Sequence, residues 1–344
     1  MSVLSRRGFI GAASALAVTT GLSACANKPA NGDGGEPSDA NGPTDSTKLT
    51  LCLDYTPNTN HTGIYVAQAK GFFDEEGLEV EIVQPAEDAA EAIVGSGSAQ
   101  LGISFQDYIA NSLVAGNANI VAVAAIVQHN TSGIMSAADK GITRPAAMEN
   151  HTYGTWDLAV EKATIKHVVE KDGGDYSKIK LVPKTVDDDV AGLQANMFDC
   201  AWVYEGWSVQ NAHIQNMAVN YFSFISIDDV FDFYTPVIIA NTEYASTSPD
   251  TIKAFLRATK RGYEFAIKQP QEAADMLCAA VPELDAALVA QSQAFLSEQY
   301  QADAASWGVI EKDRWARFYQ WLNDNKLVER QLDVDAGWTM DYLA

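Results

Sequence analysis

DYTPNTNHTGIYVAQAKGFF, Asp54 to Phe73, is the stretch on which the reading of this chain turns. A short apolar run (Leu49, Leu51, Leu53) ends in a polar, turn-forming cluster: Asp54, Tyr55, Pro57, Asn58, Asn60 and His61. A helix is predicted to open at Thr62 or Gly63 and to close at Gly71. Hydrogen-bonding side chains and an aromatic ring therefore crowd the carboxyl end of a strand beside a helix N-terminus. In α/β sheets ligands sit at that place.

Working outward, the N-terminal end reads as a targeting segment. Arg6 and Arg7 form a charged region, Phe9 to Leu22 is apolar but short, and Leu22-Ser23-Ala24-Cys25 is a lipoprotein cleavage box. The apolar run falls short of the ~20 residues that span a bilayer. Ser5 to Ile10 also resembles a twin-arginine export signal, so that route and the general secretory route both stay open. The expectation is a signal peptide over 1–24, lipidation at Cys25, and a flexible tether over 25–47 rich in Gly, Pro, Asn, Asp and Ser. No later segment is long and apolar enough to cross a membrane.

The formal net charge is −22, which argues against nucleic-acid binding. Of the 4 cysteines, Cys52, Cys200 and Cys278 have no CxxC spacing, and small buried thiols are the expectation, with one disulfide left open. His61, His129, His151, His167 and His213 show no metal-ligand spacing, and nothing calls for a cofactor. HExxH, GxSxG, Walker-type and GxGxxG patterns are missing, and Gly95-Ser96-Gly97-Ser98 ends a helix rather than starting one.

From Lys48 onward strand-like and helix-like patterns alternate. Leu78 to Ile82 alternates apolar with acidic residues, Leu101 to Phe105 and Ile120 to Val127 are apolar β runs, and helices lie between. A second series runs through Tyr153, Ile179 to Val182, Cys200 to Tyr204 and Val219 to Phe224, with Thr235 to Ala240 as a return strand. The last hundred residues read as helices, beginning at Ser248-Pro249. The expected fold is α/β: a two-lobed clamshell with an interlobe cleft and a helical C-terminal tail. Lobe I takes 48–132 and 237–344, and lobe II takes 133–236.

Aromatics paired with carboxylates fall at four strand ends or crossings: Asp54-Tyr55, Trp156-Asp157, Tyr204-Glu205-Gly206-Trp207 and Asp232-Phe233-Tyr234. Aromatic faces stack on flat heterocycles, and a carboxylate accepts N–H bonds from an amino-substituted ring. Each aromatic taken singly is better explained by packing; four at corresponding positions tilt the balance toward a site for an aromatic, amino-bearing ligand. His61 can either donate to that ligand or cap the helix.

These residues resemble the substrate-binding proteins for thiamine pyrimidine precursors. The resemblance lies in Asp54-Tyr55-x-Pro57-Asn58-Thr59-Asn60-His61-Thr62-Gly63, Ala69-Lys70-Gly71-Phe72-Phe73, Tyr153-Gly154-Thr155-Trp156, Tyr204-Glu205-Gly206-Trp207 and Phe233-Tyr234-Thr235-Pro236-Val237. It implies a periplasmic-binding-protein fold of type II, serving an ABC permease and ATPase and binding an aminopyrimidine such as formylaminopyrimidine. Related branches bind riboflavin or other heteroaromatics. A eukaryotic branch makes the pyrimidine itself and consumes a histidine at the position His61 matches, with a cysteine cluster where this chain has Asp232 to Pro236. Tyr55 stands where the family usually has Trp. The resulting expectation is a monomeric, membrane-anchored binding protein, not an enzyme. Tyr55 with Trp156 or Trp207 stacks on the ring, Asp54 and Glu205 pair with its amino groups, and Asn58, His61 and Tyr234 hold its polar edge. An exported enzyme using His61 is the alternative from another class.

Overall fold

The computed structural model describes residues 46–85, 89–116 and 119–343, all within one unit, Thr44–Ala344. The expected signal peptide, Cys25 and nearly all of the tether lie outside the described residues.

Two five-stranded sheets carry the fold. The first has the order β2-β1-β3-β10-β4, from β1 (Thr47–Cys52), β2 (Leu78–Val83), β3 (Leu101–Ser104), β4 (Ile120–Ala125) and β10 (Val237–Asn241). β1 runs parallel to β2 and β3, while β10 is antiparallel to β3 and β4. The second has the order β7-β6-β8-β5-β9, from β5 (Ser132–Ala137), β6 (Thr152–Thr155), β7 (Lys180–Pro183), β8 (Cys200–Tyr204) and β9 (Val219–Ser223). Here β6 is parallel to β7 and β8, and β5 is antiparallel to β8 and β9. The chain passes between the sheets at 126–131 and 224–236. This is the α/β two-lobed architecture that the alternation of patterns implies.

β3 and β10 are buried along their whole length, as central strands covered on both faces are, and β1 buries Leu49, Leu51 and Cys52 while Thr47 and Lys48 stay exposed. β2 alternates buried Leu78 and Val80 with exposed Glu79 and Glu81, so one face meets water. The first lobe's core gathers Leu51, Ile64, Ile103, Phe255, Tyr263 and Trp307. Helix Thr62–Ala69 leans on the 20-residue helix Pro249–Lys268. Their approach is so close that a Cβ on Gly262 would stand 1.9 Å from the Gly63 carbonyl oxygen. Glycine is required there, and that contact fixes where the Asp54–His61 segment lies.

Candidate ligand-binding site

The sheet directions decide which residues meet. In the first lobe, the carboxyl ends of β1 and β3 deliver Asp54 and Phe105 to one edge, where β4 exits and β10 enters. In the second, β7, β6 and β8 end side by side, delivering Lys184, Trp156 and Glu205 to one edge where β5 begins. Both chain crossings join these edges, so the strand ends of both lobes flank one cleft.

Asn58 heads a short 3-10 turn, Thr59–His61, in a reciprocal cap. Its Oδ1 accepts from the Asn60 N–H at 2.9 Å, and its own N–H donates to His61 Nδ1 at 3.2 Å. Because Nδ1 accepts, the ring proton lies on Nε2, which donates to Asp54 Oδ1 at 2.6 Å. His61 is fully buried and the Asp54 side chain is 8% exposed. Of the two roles open to His61, the structure shows the cap. Tyr55 stands out from this frame at 56% exposure. The turn is held from behind: Tyr300 Oη donates to the Thr59 carbonyl and Tyr263 Oη to the Asn60 carbonyl, each at 2.6 Å.

Across the cleft, Trp156 is 43% exposed on a loop organised by one buried carboxylate. Glu161 accepts from Tyr153 Oη (2.7 Å), Thr155 Oγ1 (2.9 Å), and the backbone N–H groups of Trp156 (3.1 Å) and Leu158 (3.2 Å). Four donors on one carboxylate leave the loop little freedom. Sequence reading missed Glu161, because its partners converge only once β6 and the helix Ala159–Lys171 pack together.

Glu205 to Val209 winds as a turn of π-helix, a form concentrated at functional sites. It faces helix Ala286–Ser297: Ser292 Oγ donates to the Gly206 carbonyl and lies 2.6 Å from Thr59 Oγ1. Trp207 packs against Tyr65, Ala274, Leu277 and Val289 of the first lobe. The narrow gap left between is lined by Asn58, Thr59, Asn60, Thr131, Tyr204, Gly206, Trp207, Thr235 and Leu296. Beside it, Glu205 is half-buried, and among the described residues nothing pairs with its carboxylate. Burial raises its pKa above the ordinary carboxylate value.

Two further carboxylates lie at the first lobe's strand ends. Asp107 opens the helix Gln106–Ala115, and burial pushes it up to about 7. Glu91, also pushed up by burial, accepts from Ser104 Oγ. With Asp54 they make this wall acidic. Neither was read from sequence, where each is one acidic residue of an acidic helix start.

Tyr234 departs from expectation. It is 1% exposed, its ring stacks on Trp315 at 6.2 Å, and its hydroxyl accepts the Glu311 N–H at 2.8 Å. At this crossing Phe233 and Tyr234 turn their rings into the first lobe, where Phe233 stacks on Phe318, while Phe231 packs edge-on between His167 and Trp321. What that crossing offers near the cleft is Thr235, 3.4 Å from Tyr204 Oη. Among the described residues the cysteines are free thiols, with Cys52 and Cys200 buried and Cys278 half-buried.

Two sheets of this order, joined by two crossings around a strand-end cleft, define the periplasmic-binding-protein fold. The chain belongs to the NMT1/THI5-like family, whose model matches residues 58–273. It is 26% identical over 298 residues to the formylaminopyrimidine-binding protein of Halalkalibacterium halodurans, covering 85% of this chain and 89% of that protein. It is 23% identical over 304 residues to a 4-amino-5-hydroxymethyl-2-methylpyrimidine phosphate synthase of Legionella pneumophila, covering 86% and 92%. Among solved structures, the periplasmic aliphatic sulphonate binding protein SsuA of Escherichia coli superposes with a TM-score of 0.66 at 15% identity, covering 87% of this chain and 99% of that one. The similarity to a binding protein and to this fold supports a solute-binding role.

Proposed function

We propose that this chain is the extracytoplasmic solute-binding lipoprotein of an ABC importer and takes an aminopyrimidine precursor of thiamine. The observation that carries the ligand class is Glu205, a half-buried carboxylate with no partner among the described residues, beside a gap lined by Tyr204 and Trp207, with Trp156 exposed at the neighbouring strand end. A carboxyl group pairs with an exocyclic amine and the adjacent ring nitrogen, and a flat ring fits between aromatic faces. The similarity to a formylaminopyrimidine-binding protein points the same way. Tyr55 closes over the ligand from its exposed position, and Asn58 and Tyr204 meet its polar edge. Lobe closure excludes water and strengthens these contacts. The protein acts as a monomer, anchored through Cys25, and hands its ligand to membrane permease subunits powered by an ATPase.

Calorimetric titration with formylaminopyrimidine, riboflavin and an aromatic sulfonate tests the ligand class. Binding of the pyrimidine alone is expected; tight binding of either rival with none of the pyrimidine sinks the reading. Glu205→Ala should weaken pyrimidine binding by about ten- to a hundredfold, the worth of a charge-assisted hydrogen bond, with the melting temperature nearly unchanged. Turnover of the bound pyrimidine would replace the binding role with an enzymatic one. Cys25→Ala should move the protein from the membrane fraction to the soluble one.

A further inference from the structure

Lys184 follows β7, and its backbone N–H donates to the Thr155 carbonyl at 2.9 Å, keeping it level with the Trp156 loop. Its ammonium stands 4.7 Å from the Trp156 ring centroid. The Lys184 side chain is only 7% exposed and pairs with Asp189 Oδ1 at 2.5 Å. Asp189 Oδ2 accepts from Ser208 Oγ at 2.6 Å. Ser208 belongs to the π-turn that carries Glu205 and Trp207. A buried chain therefore links the two aromatic loops of the second lobe: indole, ammonium, carboxylate, hydroxyl. Such an ion pair adds little net stability, so its use is sought in what it positions. Trp202 stands at 6.3 Å and 54° from Trp156, leaving much of the indole open.

We propose that Lys184 is a specificity-determining residue of the cleft: it occupies one face of Trp156, leaves the other as the stacking surface, and makes that surface favour an uncharged flat ring over a cationic one. The proposal rests on the reading of the cleft as a site for flat heterocycles. An indole face attracts a cation through its quadrupole, and here one face already holds one. A cationic ligand on the opposite face would meet a like charge roughly 8–9 Å away with protein rather than water between. Asp189 offsets part of that field, so the discrimination is a few-fold. The acidic first-lobe wall formed by Asp54, Glu91 and Asp107 pulls the other way for cations and serves N–H donors of either charge. Lys184 thus supplies a charge preference that the carboxylates do not.

The test titrates two ligand pairs at alkaline pH, 4-amino-2-methylpyrimidine with its N-methylated cation and nicotinamide with N-methylnicotinamide cation, following tryptophan fluorescence. The wild type should favour the uncharged member by about three- to tenfold. Lys184→Met alone strands Asp189, so the double variant Lys184→Met/Asp189→Asn, which keeps a partner for Ser208, is the main comparison, and its ratio should fall to about one. Lys184→Arg should keep the preference. An unchanged ratio in a folded double variant overturns the proposal. If only the nicotinamide pair binds and shows the ratio, the pyrimidine reading fails and this inference stands. If neither pair binds the wild type, both fall.

Discussion

At the scale of single residues, buried carboxylates divide into those that organise and those that wait. Glu161 organises: four donors converge on it, and removing its charge leaves buried donors facing an amide that is itself half donor. Glu161→Gln should cost about 2–4 kcal/mol in urea unfolding; a loss below ~0.5 kcal/mol would show that the loop is held by something else. Asp107 waits. Its folded pKa, about 7, lies above the ordinary 3.8, so the folded state holds the proton more tightly than the unfolded one. Between those values stability falls as pH rises. Asp107→Asn should therefore raise the melting temperature above neutral pH, by ~2–4 °C if the gain is about 1 kcal/mol, and leave it unchanged below pH 3.8. An equal effect at both pH extremes would contradict this. The placement of Trp156 and Glu205 directly after β6 and β8 was legible because strand ends announce themselves in the sequence. Tyr234 was misleading for the same reason: it also sits at a lobe crossing, but its ring found Trp315 some eighty residues downstream, a partner no local pattern shows.

At the scale of elements, the alternation of strands and helices was readable throughout the first lobe, because its strands are either short apolar runs, as in β3, β4 and β10, or alternate apolar with polar residues, as in β1 and β2. One strand escaped. β5, Ser132 to Ala137, is small and polar for a central strand, yet it lies between β8 and β9. Gly133 explains its composition: a Cβ there would come within 2.2 Å of the Phe222 carbonyl oxygen. Closeness to β9, not β propensity, selects its residues. The helix Ala286–Ser297 links the two walls of the cleft through Ser292, which touches Thr59 on one side and Gly206 on the other. Ser292→Ala should lower stability by about 1–2 kcal/mol and weaken ligand binding, because the π-turn loses its tie to the 3-10 turn. A stability loss with unaltered affinity would mean that the tie does not set the cleft.

At the scale of the whole molecule, the crossings are pinned by charge. His129, in the first crossing, has Nδ1 2.8 Å from Asp232 Oδ2 in the second and Nε2 2.9 Å from Asp303 Oδ1. Ionised carboxylates only accept, so both bonds need both ring N–H groups. Arg314 also meets Asp232, at 3.4 Å, and Glu311. The hydrogen bond to Asp232 raises the His129 pKa above 6.5, with burial opposing and Asp303 assisting. A raised folded pKa gives stability that is full below 6.5 and lost as pH climbs through the raised value. Relative to His129→Gln, the wild type should be more stable at pH 6 and lose that advantage by pH 9 in urea unfolding. A difference independent of pH would exclude the charged bridge.

The two tyrosine hydroxyls behind the binding turn set an order in time. Thr59 is held by Tyr300, 241 residues later, and Asn60 by Tyr263, 203 residues later. During synthesis the turn is made 203 and 241 residues before its two supports, so a nascent chain carries the recognition residues well before it can hold them in place. Ribosome-stalled chains that have not yet exposed Tyr300 should fail to retain ligand, and chains released past it should retain it. Retention by the shorter chains would show that the turn stands without its late-made supports.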